Sequence, residues 1–273
     1  MDFNERVPFG RTGLMVSRMG LASGYGVPAA AIEKAFHEYG VNFFYLSPLH
    51  RGDMVRAIRN LTPGRRDELC IELARMTFFE QLGISHRGFS LQSFVERWLK
   101  KLKLEQIDLL LFQDLRKPPV QRFVDRMHRL KESGLVRFMG MSSHNRPLFG
   151  RIARGEVAAP VDFFQVRYNA VHPGAEQDVF PHLPQDNRPG IVIYTATCWR
   201  KLLKPKLMPA GERPPASADC YRFVLSHPDV NVCVTGPSSA AQMEDNLKAL
   251  AAGPLDEEEM ARIRRIGKHI YGK

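Results

Sequence analysis

The chain has 273 residues, 44% of them hydrophobic, with 39 Lys and Arg against 29 Asp and Glu and a net charge of +10 at pH 7. This size suits one barrel domain spanning residues 1–273. No run of 18 apolar residues occurs, and the first ten residues carry charges of both signs. We therefore predict no membrane span and no signal peptide, and we expect a cytoplasmic protein.

The positive charge is compatible with three partners: nucleic acid, an anionic membrane or a phosphorylated small molecule. The basic residues are dispersed along the chain, and no RNA-binding signature with interleaved aromatic residues accompanies them. A solvated basic surface is the simplest interpretation, and an anionic ligand is the second. We expect a small-molecule substrate, with a carbonyl or a carboxylate group, and neither nucleic acid nor membrane as a partner. The chain is compatible with a monomer or a homo-oligomer.

The four cysteines form no C-x-x-C pair, and the nine histidines form no H-x-H or H-E-x-x-H pattern. We therefore predict no metal site, and reduced cysteines rather than a disulfide scaffold.

Short β-rich runs alternate along the chain with longer segments whose apolar residues have helical spacing. The runs are apolar on both faces, as is required of strands covered on both sides. Predicted strands are Met19–Leu21, Val41–Tyr45, Leu69–Leu73, Ile107–Phe112, Phe138–Met141, Phe163–Val166, Ile191–Tyr194 and Val232–Thr235. Predicted helices include Ala29–Tyr39, Phe94–Leu102, Val120–Glu132 and Ser239–Leu250.

This alternation predicts an α/β fold, a single (β/α)8 TIM barrel. A doubly wound sheet is the alternative, but LASGYGVPA, which follows the first strand, matches the G-x-G-x-x-G pattern only weakly. In a barrel the active site lies at the carboxyl ends of the strands. That rule selects a largely polar ring: residues 45–50, 74–75, 113–114, 142–144, Gln165, 168–169, 194–195 and Gly236 onward.

Six segments, in order, resemble the aldo-keto reductase superfamily. FGRTGLMVSRMGLAS resembles its N-terminal β-hairpin and first strand, and GVNFFYLSP its second strand. IDLLLFQDL, GLVRFMGMSSHN and FFQVRYNAV resemble the fourth to sixth strands, and VTGPSSAAQMEDNLKAL the eighth strand and the helix after it. The resemblance implies a TIM barrel with a short N-terminal hairpin, a C-terminal helix and a nicotinamide cofactor.

The resemblance also implies cofactor-binding residues. Ser142, Ser143 and Gln165 match positions that hold the nicotinamide carboxamide, and Tyr194 matches an aromatic position that stacks on the ring. Gly236, Pro237, Ser238 and Ser239 match the loop that receives the adenine ribose phosphate, and Gln242 and Asn246 match contacts to the adenosine end. The implied cofactor is NADP or NAD. Ser238 replaces a common Arg or Lys, which weakens the preference for NADP, and a Ser-capped helix start also explains this segment.

The resemblance fails at the catalytic positions, as in a divergent bacterial branch that lacks the usual Asp, Tyr, Lys and His tetrad. Tyr45 stands in place of the aspartate, His50 of the tyrosine, Ala74 of the lysine and Gln113 of the histidine. An imidazole exchanges protons near neutral pH without help from a lysine. Arg75, next to Ala74, is a candidate for binding a substrate carboxylate.

Three functions fit these residues. The first is a nicotinamide-dependent oxidoreductase in which His50 is the proton donor and Tyr45, Arg75 and Gln113 position the substrate. The second is a lyase or isomerase that uses His50 and Tyr45 as an acid–base pair without redox chemistry. The third is a non-catalytic cofactor- or ligand-binding protein. Purely structural roles for these residues remain open: a packed tyrosine, an exposed histidine, a surface arginine and a hydrogen-bonded amide.

Overall fold

The computed structural model describes residues 1–49, 52–77 and 90–271. Eight parallel strands close into a barrel in the order β10-β3-β4-β5-β6-β7-β8-β9, and β1 and β2 form a separate antiparallel hairpin. The TIM barrel predicted from the sequence is therefore confirmed, and the doubly wound alternative is wrong, because its sheet stays open. The hairpin strands are β1 (Val7–Pro8) and β2 (Met15–Val16). The barrel strands are β3 (Met19–Ala22), β4 (Phe43–Leu46), β5 (Cys70–Met76), β6 (Ile107–Gln113), β7 (Val136–Ser142), β8 (Phe163–Arg167), β9 (Gly190–Tyr194) and β10 (Val232–Thr235).

Helices lie between the strands and cover the outside of the barrel. They are α1 (Ala29–Tyr39), α2 (Gly52–Leu61), α3 (Leu91–Leu102), α4 (Gln121–Glu132), α5 (Pro147–Ala153), α6 (Ala175–Asp178), α7 (Ser217–Leu225), α8 (Ala240–Ala252) and α9 (Glu257–Tyr271). Across the described ranges, no helix is both long and apolar enough to cross a membrane.

Local sequence explains where α1 begins and ends. Pro28 is extended and precedes the first helical residue, as the restricted φ of proline favours. Gly40 ends the helix with a φ of 68° and donates its backbone N–H to the carbonyl of Ala35. A glycine tolerates this left-handed conformation at little cost, and it commonly follows a helix for that reason.

Strand residues alternate between two apolar layers. Those pointing outward, such as Phe44, Ile71 and Phe112, pack with the helices in one large cluster. Those pointing inward form the interior cluster: Phe9, Val16, Ala22, Phe43, Tyr45, Cys70, Ala74, Leu109, Leu111, Phe163, Val192, Val232 and Val234. Since the side-chain period of a strand is two residues, membership of the interior cluster tells which side chains face the barrel axis.

The hairpin closes the amino-terminal end of the barrel. Phe9 is fully buried, and its ring lies 5.9 Å from that of Phe43 and 5.5 Å from that of Phe163, measured between centroids. A side chain at Gly190 would overlap the Phe9 ring, so glycine is needed there. With this end filled by packed apolar groups, the polar carboxyl ends of the strands are left to form a site.

Candidate active site

Tyr45 and Gln113 meet at the carboxyl end of the barrel. Tyr45 belongs to the interior cluster and is 8% exposed, and Gln113 is the last residue of β6. The side-chain amide of Gln113 donates a hydrogen bond to the phenolic oxygen of Tyr45. The Thr77 hydroxyl, just beyond β5, donates to the Gln113 backbone carbonyl at 2.5 Å. Two of the predicted catalytic positions are thus in direct contact, and the N–H donor stabilises negative charge on the phenol oxygen.

Arg75 is not part of this arrangement. Its neighbour Ala74 faces the interior and is 1% exposed, so Arg75 points to the opposite side of the strand. The Arg75 guanidinium carbon lies 4.9 Å from the ring centroid of Phe94, on helix α3. The structure therefore places Arg75 in the layer between strand and helix, away from Tyr45 and Gln113. His50, the predicted proton donor, lies outside the described residues.

The three predicted carboxamide-binding residues come together on neighbouring strands. Ser142 ends β7 and pairs in register with Gln165 on β8, and Ser143 follows directly. The Ser142 hydroxyl accepts the backbone N–H of Asp114 at 3.2 Å, and the Ser143 hydroxyl accepts that of Asn145 at 2.9 Å. Both serines are therefore fixed by neighbouring backbone.

Gln165 differs from the two serines. It is 3% exposed, yet no side chain or backbone group in the described ranges hydrogen-bonds its amide. Its amide atoms are not among the buried polar atoms that lack a hydrogen bond, so they keep access to solvent. The Gln165 amide is therefore available to a bound polar group, and a carboxamide matches it with one donor and one acceptor.

Tyr194 lies on the next strand, in register with Arg167. Burial raises the pKa of its phenol, and the neighbouring charge of Arg167 opposes this shift. The strand ends in a left-handed residue, Thr195, at a φ of 63°. The amide of the buried Asn169 donates to the Thr195 carbonyl at 2.8 Å and holds this turn. Tyr194, predicted to stack on a nicotinamide, is thus the last residue of a strand whose following turn is held by a hydrogen bond.

The predicted phosphate loop follows β10. A side chain at Gly236 would overlap the ring of Tyr25, which is 62% exposed and packs on this loop. Pro237 has no N–H to offer a phosphate. Ser239 caps helix α8 by accepting the Gln242 N–H at 3.2 Å. The Gln242 side-chain oxygen accepts both the N–H and the hydroxyl of Ser238, at 2.8 and 2.9 Å.

These contacts give Gln242 and Asn246 different positions. Gln242 sits at the loop and engages the donors that a phosphate would use. Asn246 is 3% exposed and donates to the Thr235 hydroxyl at 2.8 Å, and Thr235 in turn contacts the Tyr221 hydroxyl at 2.7 Å. Asn246 thus ties α8 to β10 beneath the surface, and its side chain does not face the loop.

Two charged residues at the barrel interior were missed by reasoning from the sequence. Glu72 is fully buried on β5, in register with Tyr45 and Leu109, both members of the interior cluster. Neither of its carboxyl oxygens has a hydrogen-bond partner among the described residues, and burial raises its pKa well above the ordinary value. The signal was a glutamate inside the apolar run CIELA. Arg167 is the second residue, two positions beyond Gln165 on the same face of β8.

Comparison with known proteins identifies the family. The model of the Aldo/keto reductase family matches residues 28–199 and 211–268, which is most of the chain. The chain belongs to the aldo/keto reductase family. Members of this family act on small-molecule carbonyl compounds with a nicotinamide cofactor. A search among curated proteins gives no match to this chain.

Two solved structures of aldo-keto reductase AKR11C1 from Bacillus halodurans are similar to this one. The apo form is 17% identical with a TM-score of 0.71, and covers 96% of this chain and 95% of its own. The holo form is 18% identical with a TM-score of 0.74, and covers 96% of each chain. At these identities the likeness supports the barrel fold of this aldo/keto reductase and does not extend to individual side chains.

Proposed function

We propose that this aldo/keto reductase is an NAD(P)-dependent oxidoreductase that reduces a small carbonyl compound at a non-standard acid site. One observation carries the proposal: Ser142, Gln165 and Tyr194 lie at or near the carboxyl ends of three neighbouring strands, and the Gln165 amide forms no hydrogen bond within the described parts of the chain. Such a site places an amide that has no bond to the described protein groups beside an aromatic face, the chemistry that a nicotinamide ring and its carboxamide need.

The residues present fit the nicotinamide end of the cofactor better than the adenosine end. A nicotinamide held there would supply a hydride to a carbonyl carbon. Ser142, Ser143 and Gln165 would fix the carboxamide, and Tyr194 would cover one ring face. At the other end, Ser238 and Ser239 offer backbone N–H groups beside the positive end of helix α8, once Gln242 is displaced from Ser238. Ser238 carries no positive charge, so NADP and NAD are both candidates.

His50 remains our proposed proton donor to the carbonyl oxygen, with Tyr45 orienting the substrate. Tyr45 is suited to this because the Gln113 amide fixes its phenolic oxygen at the mouth of the barrel. Proton transfer by a positioned side chain contributes about 10²- to 10⁴-fold to rate. We therefore expect His50→Asn to lower kcat by about 10²-fold or more. His128→Asn, a change on the exposed surface of helix α4, is the matched control.

Cofactor titration tests the proposal before any substrate is known. Pure protein is titrated into NADPH and, separately, NADH, while the nicotinamide fluorescence is followed. We expect a change that saturates, and we expect Gln165→Leu to weaken it about tenfold, since one buried amide contact is lost. Unchanged fluorescence of both cofactors at high protein concentration would overturn the redox proposal. Carbonyl turnover without added nicotinamide would favour the lyase or isomerase instead.

A further inference from the structure

Arg167 brings a positive charge to the mouth of the barrel, where no described carboxylate forms an ion pair with it. It is the last residue of β8 and continues the inward alternation of Phe163 and Gln165. It is half-buried, and no acidic side chain in the described ranges forms an ion pair with it. The carboxylate of Asp114, whose charge acts on Tyr194 as that of Arg167 does, pairs with Arg116 at 2.8 Å.

Trp199 lies beside the charge of Arg167, in a backbone segment with positive φ angles. The Arg167 guanidinium carbon is 6.0 Å from the Trp199 ring centroid. The indole is 53% exposed, although a tryptophan is usually well buried. Cys198, Trp199 and Arg200 are consecutive residues with positive φ, at 50°, 50° and 66°. Non-glycine residues rarely adopt this left-handed conformation, so the surrounding structure has to hold Trp199 in place.

The surroundings of Arg167 are positive. His172 stands edge-on to Trp199, with 6.3 Å between the ring centroids. The pKa of His172 is lowered by burial and by the charges of Arg167, Lys201 and Arg146. Lys201 is exposed and also has no ion-pair partner in the described ranges. The mouth therefore favours an anion at the place where an exposed indole offers an apolar face.

From these contacts we propose that Arg167 and Trp199 form a binding site for the oxyanion of an acidic substrate, a carboxylate or a phosphate monoester. The planar guanidinium pairs with either group through two parallel hydrogen bonds, and the indole face covers the apolar part of the ligand. Arg75, which the sequence suggested for this role, faces Phe94 on the outside of the barrel. The site is distinct from the phosphate loop at Gly236.

The position of Arg167 sets the expected spacing between the acidic group of the substrate and its reacting carbonyl. A strand rises about 3.3 Å per residue, so Arg167 lies roughly 6.6 Å beyond Gln165 along the same face of β8. If the proposed function holds, the reacting carbonyl lies near the Gln165 end, and the acidic group lies a few bonds away from it. Oxyanion binding itself needs no cofactor, so it can be tested separately from the redox proposal.

The fluorescence of Trp199 can report the binding of an acidic ligand. The chain has two tryptophans, and Trp98→Phe leaves Trp199 as the sole indole reporter. The probes are 4-(hydroxymethyl)benzoate, its neutral methyl ester, and phenyl phosphate, followed by Trp199 fluorescence. Calorimetric titration of the unmodified chain repeats the measurement without relying on the Trp98 variant. We expect an acid to bind at least about tenfold more tightly than the ester, and the benzoate and phosphate arms tell which oxyanion is preferred.

Variants of Arg167 test whether its guanidinium binds the oxyanion. Arg167→Met should abolish the preference for acid over ester, and Arg167→Lys should keep part of it, because one charge remains without the planar fork. Arg56→Met is the control: Arg56 is exposed on α2, and its loss changes the net charge equally. Equal binding of acid and ester, no binding of any probe at millimolar concentration, or an Arg167→Met variant that keeps the preference would each overturn the proposal. NADPH titration of the same variants reports on the redox proposal independently.

Discussion

Replacing Glu72 by glutamine should make the protein more stable, and more so as the pH rises. Glu72 is fully buried in the barrel interior, with no hydrogen-bond partner for either carboxyl oxygen in the described ranges. Burial raises its pKa well above the ordinary value of 4.5, so the folded protein keeps a proton that the unfolded chain releases.

The size of the effect follows from this difference in protonation. Below pH 4.5 the carboxyl is protonated in both states, and its ionisation costs the fold nothing. Between that pH and the raised pKa of the folded state, the native state binds more protons, so the free energy of unfolding falls as pH rises. The slope for one group is about 1.4 kcal/mol per pH unit. Glutamine binds no proton, so the free energy of unfolding of Glu72→Gln should rise relative to that of the natural chain by up to this amount for each pH unit.

Urea unfolding between pH 5 and pH 9 measures the difference. Glu72→Met serves as a second variant: it removes both unsatisfied oxygens, and relative to Glu72→Gln it should add about 1–3 kcal/mol across the whole range. Asp108→Asn is the control with the opposite sign. Asp108 is equally buried but accepts hydrogen bonds or ion pairs from Arg137 and Arg66, at 3.1 and 3.0 Å. Its loss should destabilise by about 1.5–3 kcal/mol.

Two outcomes would refute this reasoning about Glu72. If the unfolding free energies of the natural chain and Glu72→Gln run parallel from pH 5 to pH 9, the folded and unfolded states do not differ in protonation at this position. If Glu72→Met destabilises the protein as much as Asp108→Asn does, the Glu72 carboxyl has a hydrogen-bond or charge partner that stabilises it in the folded state.

Three further changes test other parts of the site. Ser238→Arg should tighten NADPH over NADH by about tenfold in a fluorescence titration, since it adds a bidentate phosphate partner, and an unchanged ratio would place the ribose phosphate elsewhere. Asn246→Ala should lower the free energy of unfolding in urea by about 1–3 kcal/mol, because the Thr235 hydroxyl loses a buried hydrogen-bond donor. If this variant instead binds the cofactor more weakly at unchanged stability, Asn246 contacts the adenosine end, as the resemblance implies. Tyr45→Phe should leave cofactor affinity unchanged but lower kcat/KM for carbonyl reduction, and an unaltered kcat/KM would make Tyr45 a packing residue.

The fold could be predicted because the same local pattern, a strand followed by a helix, repeats along the chain. The predicted helix Ala29–Tyr39 agrees with α1 at both ends, where Pro28 and Gly40 mark its limits. The ends of strands were less well predicted. β5 continues to Met76, three residues past its predicted end, because its hydrogen-bond ladder with β6 extends through Met76 and Gln113. Such a ladder depends on a neighbour that the local sequence does not contain.

In the candidate site, too, some positions follow from the sequence motifs and others only from strand pairing and side-chain direction. Motif order placed Ser142, Gln165 and Tyr194 at strand ends, and strand pairing brings them together. Arg75 lies on the opposite side of β5 from Ala74 and against Phe94, because one step along a strand reverses the direction of a side chain. The same alternation turns Arg167 inward.

The sequence alone determined the barrel class, through alternating apolar periods of two and 3.6 residues, and the positions where polar groups end the strands. Only the tertiary structure decided which of these groups share a cavity. Closure of the barrel buries Glu72 with no hydrogen-bond partner among the described residues, joins Gln113 to Tyr45, and sets Arg167 beside Trp199. These contacts join residues 32 or more positions apart in the chain or depend on the direction in which a strand faces. Neither property is contained in a local pattern, since both are set by strand register and by the closing of the sheet.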